Sequence, residues 1–304
     1  MPSMVSSGSL SRQGLYFAFA AFGMWGLVPI YFKAVADVTA LEVLAHRVIW
    51  SVVFLSGVIW ATGRGAAFYR LLLSPKSLAM LSLSALLIGL NWLVFIWAVS
   101  HDRILETSLG YFIGPLVSVF LGTLFLAERL RGLQWIAVGL AALGVLNQVI
   151  HLGYLPWVTL SLAFSFSIYG FVRKRLGVDS TLGLSVETLL MLPLAAGYLW
   201  WLHSSGEMQF YFTGASISWL LVAAGLVTSL PLICYASAAN LLPLSILGLT
   251  QYITPSTTFV LAIVVYNEAF DPGQLLTFCF IWAGLVVLTV EGWRHQRRLL
   301  RKPV

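Results

Sequence analysis

The stretch Pro115–Gly144, PLVSVFLGTLFLAERLRGLQWIAVGLAALG, returns as Pro255–Gly284, PSTTFVLAIVVYNEAFDPGQLLTFCFIWAG, with the same punctuation. Pro115, Glu128, Gln134 and Gly144 recur as Pro255, Glu268, Gln274 and Gly284, 140 residues further on. Between 109 and 148 the same offset also pairs Leu109, Ile113 and Leu121 with Leu249, Ile253 and Leu261. Leucine matches carry little weight in so apolar a chain. Glu and Gln are scarce, so the Pro-x12-Glu-x5-Gln-x9-Gly spacing carries more. It suggests a duplicated chain, and in a membrane duplication goes with a moving machine around a central site.

The setting is indeed a membrane. The 304 residues are 60% hydrophobic and 9% charged, against about 25% charged in a soluble domain. Too few polar side chains exist to coat a globule of this size. Cys234 and Cys279 both lie in apolar runs, which argues against a disulfide framework or a thiolate metal site. The net charge of +6 raises the question of nucleic acid, but the basic residues sit in short loops and a C-terminal tail. There they would orient helices in a bilayer, so no nucleic-acid partner is expected. Ala34-Val35-Ala36 resembles a signal-peptide cleavage site. The apolar run from Gly14 to Phe32 exceeds a usual signal core, and Lys33 follows it, so a retained spanning helix is expected.

A spanning helix needs about 20 mostly apolar residues. Ten segments qualify: 14–36, 40–62, 77–99, 104–126, 132–151, 155–173, 181–203, 214–237, 242–266 and 272–293. In hydrocarbon every backbone group must be paired within the segment, so these are helices and the chain is an all-α membrane protein. With the N-terminus in the cytoplasm, fourteen of the seventeen Lys and Arg fall on the cytoplasmic side and only Arg103 on the other; Lys33 and Arg47 lie in or at the ends of spans. That split predicts both termini inside. Ten spans divide into five plus five, and an odd half must insert inverted. The expected organisation is a cytoplasmic tail over 1–13, a first repeat over 14–151, a second over 155–293 and a basic tail over 294–304. Trp25-Gly26 then answers to Tyr169-Gly170, and Glu42 in span two to Glu187 in span seven. Glu128 and Glu268 are read as residues of helix ends and loops, on opposite faces.

Ionisable groups inside spans are costly and are candidates for function. Glu42 and His46 are four residues apart on one helix face, and Arg47 lies about 100° further round. With Lys33 they form an outer cluster of net charge +1, His46 neutral, suited to a carboxylate or another anion. The competing reading is a neutralised scaffold, with Glu42 paired to Lys33 or Arg47 and the second cation reaching the headgroups. His46 is a candidate for proton coupling. Glu187, alone in its span, is another, with hydroxyl partners on neighbouring helices as the alternative. Asn91, Trp92, Tyr111, Tyr169, Tyr235, Gln251 and Tyr252 complete the candidate substrate-binding set, the amides giving orientation and the rings apolar area. Trp and Tyr also belong to interfacial belts. Pro29, Pro115 and Pro255 each remove a backbone bond, and Gly110-x3-Gly114 permits a close crossing; packing is the first reading and a hinge the second. No HExxH, P-loop, Cys-pair or GxSxG pattern is present, so no enzyme, cofactor or metal is expected.

Trp25-Gly26-Leu27-Val28-Pro29-Ile30-Tyr31-Phe32-Lys33, Glu42-Val43-Leu44-Ala45-His46-Arg47-Val48-Ile49-Trp50-Ser51, Asn91-Trp92 and Glu106-Thr107-Ser108-Leu109-Gly110-Tyr111-Phe112 resemble the RarD group of the EamA family, in the drug/metabolite transporter superfamily. The resemblance covers about 14–292. It implies a bacterial inner-membrane permease that exports small metabolites, such as amino acids or drug-like compounds, by alternating access around a central cavity. A passive facilitator for small polar solutes is the alternative. The implied partners are the bilayer, a small-molecule substrate and protons, with the protein a monomer or homodimer. The small four-helix multidrug members of the superfamily use a Glu in span one. Span one here has Lys33 and no Glu, so that mechanism does not carry over.

Overall fold

A computed structural model describes residues 11–35, 37–100, 104–153, 157–210, 216–265 and 272–300. Among them there are twelve helices: α1 Arg12–Ala34, α2 Ala40–Ala61, α3 Gly65–Leu72, α4 Pro75–Ser100, α5 Ile104–Phe125, α6 Gly132–Leu152, α7 Trp157–Leu176, α8 Ser180–Ser205, α9 Ser216–Leu241, α10 Leu244–Thr250, α11 Ile253–Val264 and α12 Pro272–Leu300. Within the described residues α1, α2, α4, α6, α8 and α9 are each long and apolar enough to cross a membrane, and shorter apolar helical stretches cover Gly110–Phe125 and Leu275–Glu291. Arg103 and Glu268 lie outside the described residues.

The helices begin and end where the chain offers polar punctuation. Ser11 Oγ accepts from Gly14 N at 3.1 Å, and Asp179 Oδ1 from Thr181 N and Leu182 N at 3.0 and 3.1 Å. These bonds satisfy amides that a first turn leaves open. Gly153 and Gly206 close α6 and α8 in the left-handed region, at φ 77° and 74°. The expected segment 242–266 is not one helix. It breaks at Gln251 and Tyr252 into α10 and α11. Pro255 has no N–H for the Gln251 carbonyl, which instead accepts from Thr254 N at 3.0 Å in a tighter turn. The short helix α3, between α2 and α4, is an element that span counting does not see.

Helix pairing follows a regular scheme. The main interfaces are α6–α12, α5–α7, α1–α9, α2–α8, α2–α9, α4–α7, α5–α10, α1–α11 and α4–α8. Exchange α1 with α7, α2 with α8, α4 with α9, α5 with α10/α11, and α6 with α12. Then α1–α9 becomes α7–α4, α2–α9 becomes α8–α4, and α5–α7 becomes α11–α1, while α2–α8, α5–α10 and α6–α12 map onto themselves.

The recurring residues sit at joints of this scheme. A Cβ on Gly144 would lie 3.0 Å from Thr277 O, and one on Gly284 3.0 Å from Ala137 O, so each glycine admits the other helix of the α6–α12 pair. Gln134 Oε1 accepts from Arg131 N at 2.9 Å at the start of α6. Glu128 receives Leu244 N at 2.7 Å and Ser245 N at 3.0 Å. It therefore caps α10 across the fold, where a carboxylate suits the open amides and the dipole. Chain direction sorts the connections into two ends. The α1–α2 end also holds residues 205–210; the α7–α8 end also holds 61–64, 126–131 and 241–243.

Candidate functional site

At the α1–α2 end, Glu42 occupies the first turn of α2 and is fully buried. Its Oε1 accepts from Gln209 N at 2.8 Å and Phe210 N at 3.2 Å, which ties down the α8–α9 connection. His46, one turn on, places Nε2 3.9 Å from Glu42 Oε1 and packs its ring on Phe210, centroids 4.8 Å apart. Both His46 nitrogens and Glu42 Oε2 are buried without a hydrogen-bond partner. Lys33 is exposed in the last turn of α1, outside this buried set.

Arg47 points elsewhere, as one residue of helical rotation requires. Its Nε donates to Thr228 Oγ1 on α9 at 2.8 Å. The guanidinium carbon lies 4.7 Å from the Trp92 ring centroid on α4 and 5.8 Å from that of Phe32 on α1. Among the described residues Arg47 forms no ion pair. The expected neutralisation of Arg47 by Glu42 is thus not what the structure shows: that carboxyl is occupied with backbone amides on another side of α2.

From Arg47 inward the side chains are aromatic. Phe32 neighbours Phe95 at 6.4 Å, and Phe95 neighbours Tyr111 at 6.1 Å. One turn further along α5, a Cβ on Gly114 would lie 3.5 Å from Gln251 Nε2 at the break between α10 and α11. Deeper still, Trp25 stands 5.8 Å from Phe22, 5.6 Å from Phe166 and 5.7 Å from Tyr235, and Tyr235 stacks on Tyr169 at 5.9 Å. Phe22, Trp25 and Phe32 share a face of α1 at helical spacing, so one helix carries rings from the Arg47 level to the Tyr235 level.

Below the rings, at the α7–α8 end, lies the second polar cluster. Glu187 is fully buried, with Arg173 Nη1 at 3.4 Å from Oε1 and Tyr169 OH at 3.5 Å from Oε2, and Ser84 Oγ donates to Oε1. Arg173 is 2% exposed and its Nη2 donates to Ser180 O at 3.2 Å. Two expectations change. Glu187 is not solitary, and Arg173 is not a solvated loop cation. Arg173 precedes the Gly177 turn by four residues, and Glu187 follows it by ten. A long guanidinium stem in a helical hairpin bridges that difference, which was the signal available in the sequence.

Other candidates serve the frame. Asn91 Nδ2 donates to Leu162 O at 3.1 Å and to Ser165 Oγ at 3.0 Å, tying α4 to α7. Tyr252 OH donates to Phe112 O at 2.9 Å, tying the broken helix to α5. A Cβ on Gly110 would meet Leu162 Cβ at 3.0 Å and Thr159 O at 3.2 Å, so this glycine is a packing position. Pro29 and Pro115 lie inside α1 and α5, and Pro255 lies in the first turn of α11. Sequence reading did not single out Phe32, Phe95, Phe166, Thr228, Ser84 or Arg173. Among the described residues no three His, Cys, Asp or Glu side chains are grouped to hold a metal ion.

Comparison with known proteins agrees with this architecture. The profile of the EamA-like transporter family matches residues 12–148. Protein RarD of Salmonella typhi is 46% identical over 95% of this chain and 98% of its own length. The chain belongs to the RarD group of the EamA family. An uncharacterized transporter of Vibrio cholerae is 48% identical over 96% of this chain and 97% of its own. A solved crystal structure with 20% identity superposes at a TM-score of 0.73 over 93% of this chain and 99% of that one, which speaks for the fold. As a RarD-group member the protein is a multi-pass membrane transporter of the drug/metabolite transporter superfamily.

Proposed function

We propose that this RarD-group protein is a secondary transporter that exports small metabolites across the bacterial inner membrane by alternating access. Its ten spans, α10 and α11 counting as one, form two inverted halves with the substrate held among the interior rings. The observation that carries this reading is the exchange relation between helix interfaces. A chain whose contacts map onto themselves when halves are swapped has two related packings available, and rocking from one to the other moves access between its ends. The basic residues gathered toward the α7–α8 end, among them Arg64, Arg129, Arg131 and Arg175, favour that end and both termini in the cytoplasm. Arg47, Trp92, Tyr111, Tyr235 and Gln251 line the path; Asn91, Tyr169 and Tyr252 position it. His46, with both nitrogens unbonded, is the better placed proton carrier, and Glu187 belongs to the closure of the cytoplasmic end.

Counterflow in proteoliposomes tests the mechanism. Substrate loaded on the far side accelerates uptake by a carrier, whereas a passive facilitator shows no such exchange. pH dependence that survives His46→Gln intact moves the coupling step away from this ring.

A further inference from the structure

Resting on that transport reading, we propose that the substrate is a net-anionic compound with one carboxylate on an apolar or aromatic body, and that Arg47 is its charge partner. Among the described residues no carboxylate pairs with the buried Arg47 guanidinium. Charge in a membrane interior is costly unless it is paired or hydrated. Thr228 Oγ1 takes Nε, and the faces of Trp92 and Phe32 flank the cation. Rings attract a cation without neutralising it. Among the described residues the two Nη groups have no hydrogen-bond acceptor, and the titratable groups near the guanidinium are the phenols Tyr31 and Tyr111, both neutral at physiological pH. The Nη groups present the parallel fork that matches a carboxylate.

The nearest carboxyl on the same helix is not free for this task. Glu42 lies five residues earlier, about 140° round the helix, and its Oε1 holds the Gln209 and Phe210 amides. Glu187 is at the other end of the interior, engaged by Arg173. An incoming carboxylate is therefore the missing half of the Arg47 pair. The rings inward of Arg47 set the rest of the molecule. Seven residues of α1 separate Phe32 from Trp25, a rise of about 10 Å. Phe95, Tyr111 and Tyr235 lie along that depth, so a substrate body that parts them meets rings along its length. A cationic amine would be repelled by Arg47, and a neutral alcohol would leave it unpaired.

Four probes that share a phenyl body and differ in charge decide the matter: 3-phenylpropanoate, phenylalanine, 3-phenylpropylamine and 3-phenylpropanol. Each is titrated against the purified full-length protein in detergent, with thermal unfolding as the readout. The anion raises the midpoint, and the other three do so less or not at all. Arg47→Lys keeps the charge but loses the fork, and weakens binding of the anion by about tenfold; Arg47→Gln abolishes its effect. An equal or larger shift from any other probe, no shift from the anion, or undiminished anion binding in Arg47→Gln overturns the proposal. The wild-type series stands even where a variant fails to fold. Counterflow with whichever probe binds separates the two claims. Exchange of a non-anionic probe refutes the charge assignment alone, and binding of the anion without exchange refutes the carrier mechanism alone.

Discussion

Glu42 and Glu187 lie 145 residues apart, on helices that exchange with each other in the contact scheme, and both are fully buried. Their surroundings differ. Glu187 faces a guanidinium, a hydroxyl and a phenol, all from helices. Glu42 faces two loop amides and a histidine, and one of its oxygens has no partner. The α7–α8 end is thus closed by a buried ion pair that bridges α7 and α8. At the α1–α2 end the described part of the α8–α9 connection is held by one carboxyl oxygen and by the packing of Phe210, with the cation Arg47 on the next face of α2. The two exchange-related positions carry charge unequally, which under the proposed transport cycle makes one end a seal and the other an entrance.

The largest effect should come from breaking the seal. Arg173→Met leaves Glu187 buried with only Ser84 and Tyr169, and should cost about 3–5 kcal/mol. Thermal unfolding in detergent reads this as a large drop in the midpoint. Adding Glu187→Met removes the orphaned charge and should recover most of the loss. A stable single variant would mean that the α7–α8 end is held by ring packing, and the contrast between the ends would lose its basis.

A smaller effect is expected at the entrance. Glu42→Ala removes the acceptor of the Gln209 and Phe210 amides and should cost about 1.5–3 kcal/mol, the range for hydrogen bonds to a charged group. Glu42→Gln keeps one acceptor oxygen and should cost less. Hydrogen exchange at residues 206–210 is the sharper readout, because the connection should open while the helices stay protected. Equal loss of protection across α2 and α8 would make Glu42 a core residue like Glu187.

These two carboxyls also show what a sequence can carry. Helix positions were legible because a bilayer imposes one length on every apolar run. The break at Gln251 is half legible: Pro255 marks a missing bond, but whether a proline kinks or breaks a helix depends on what its neighbours bond to. Arg173 is not legible as a buried group, because charge counting assigns the cations after an apolar run to water, and here the first of three turns back inside. Asn91 is a substrate-binding candidate by its residue type and place, and in the structure its amide is spent on the backbone and a hydroxyl of α7. The pairing of Arg47 could not be read at all. Glu42 sits close enough in sequence to serve, and only the path of the α8–α9 connection, far along the chain, takes that carboxyl away.

The smallest predicted effect tests whether the α7–α8 end is also held from its surface. Arg64 Nη2 lies 2.9 Å from Asp179 Oδ2, and both side chains are more than a third exposed. Partial burial pushes the Asp179 carboxyl up, but the bond from Arg64 and the Leu182 and Thr181 amides outweigh it, and the net shift is downward. A carboxyl with a lowered folded pKa adds stability that is complete above its unfolded value near 4 and fades as pH falls through the lowered one. Exposure and salt keep the contribution small, about 1 kcal/mol or less. Asp179→Asn retains an acceptor for the start of α8 but gives up the charge. Wild type should therefore unfold slightly later than Asp179→Asn at pH 7, and the gap should close both below pH 4 and in high salt. A gap that persists in acid would show that the geometry of the cap matters there and its charge does not.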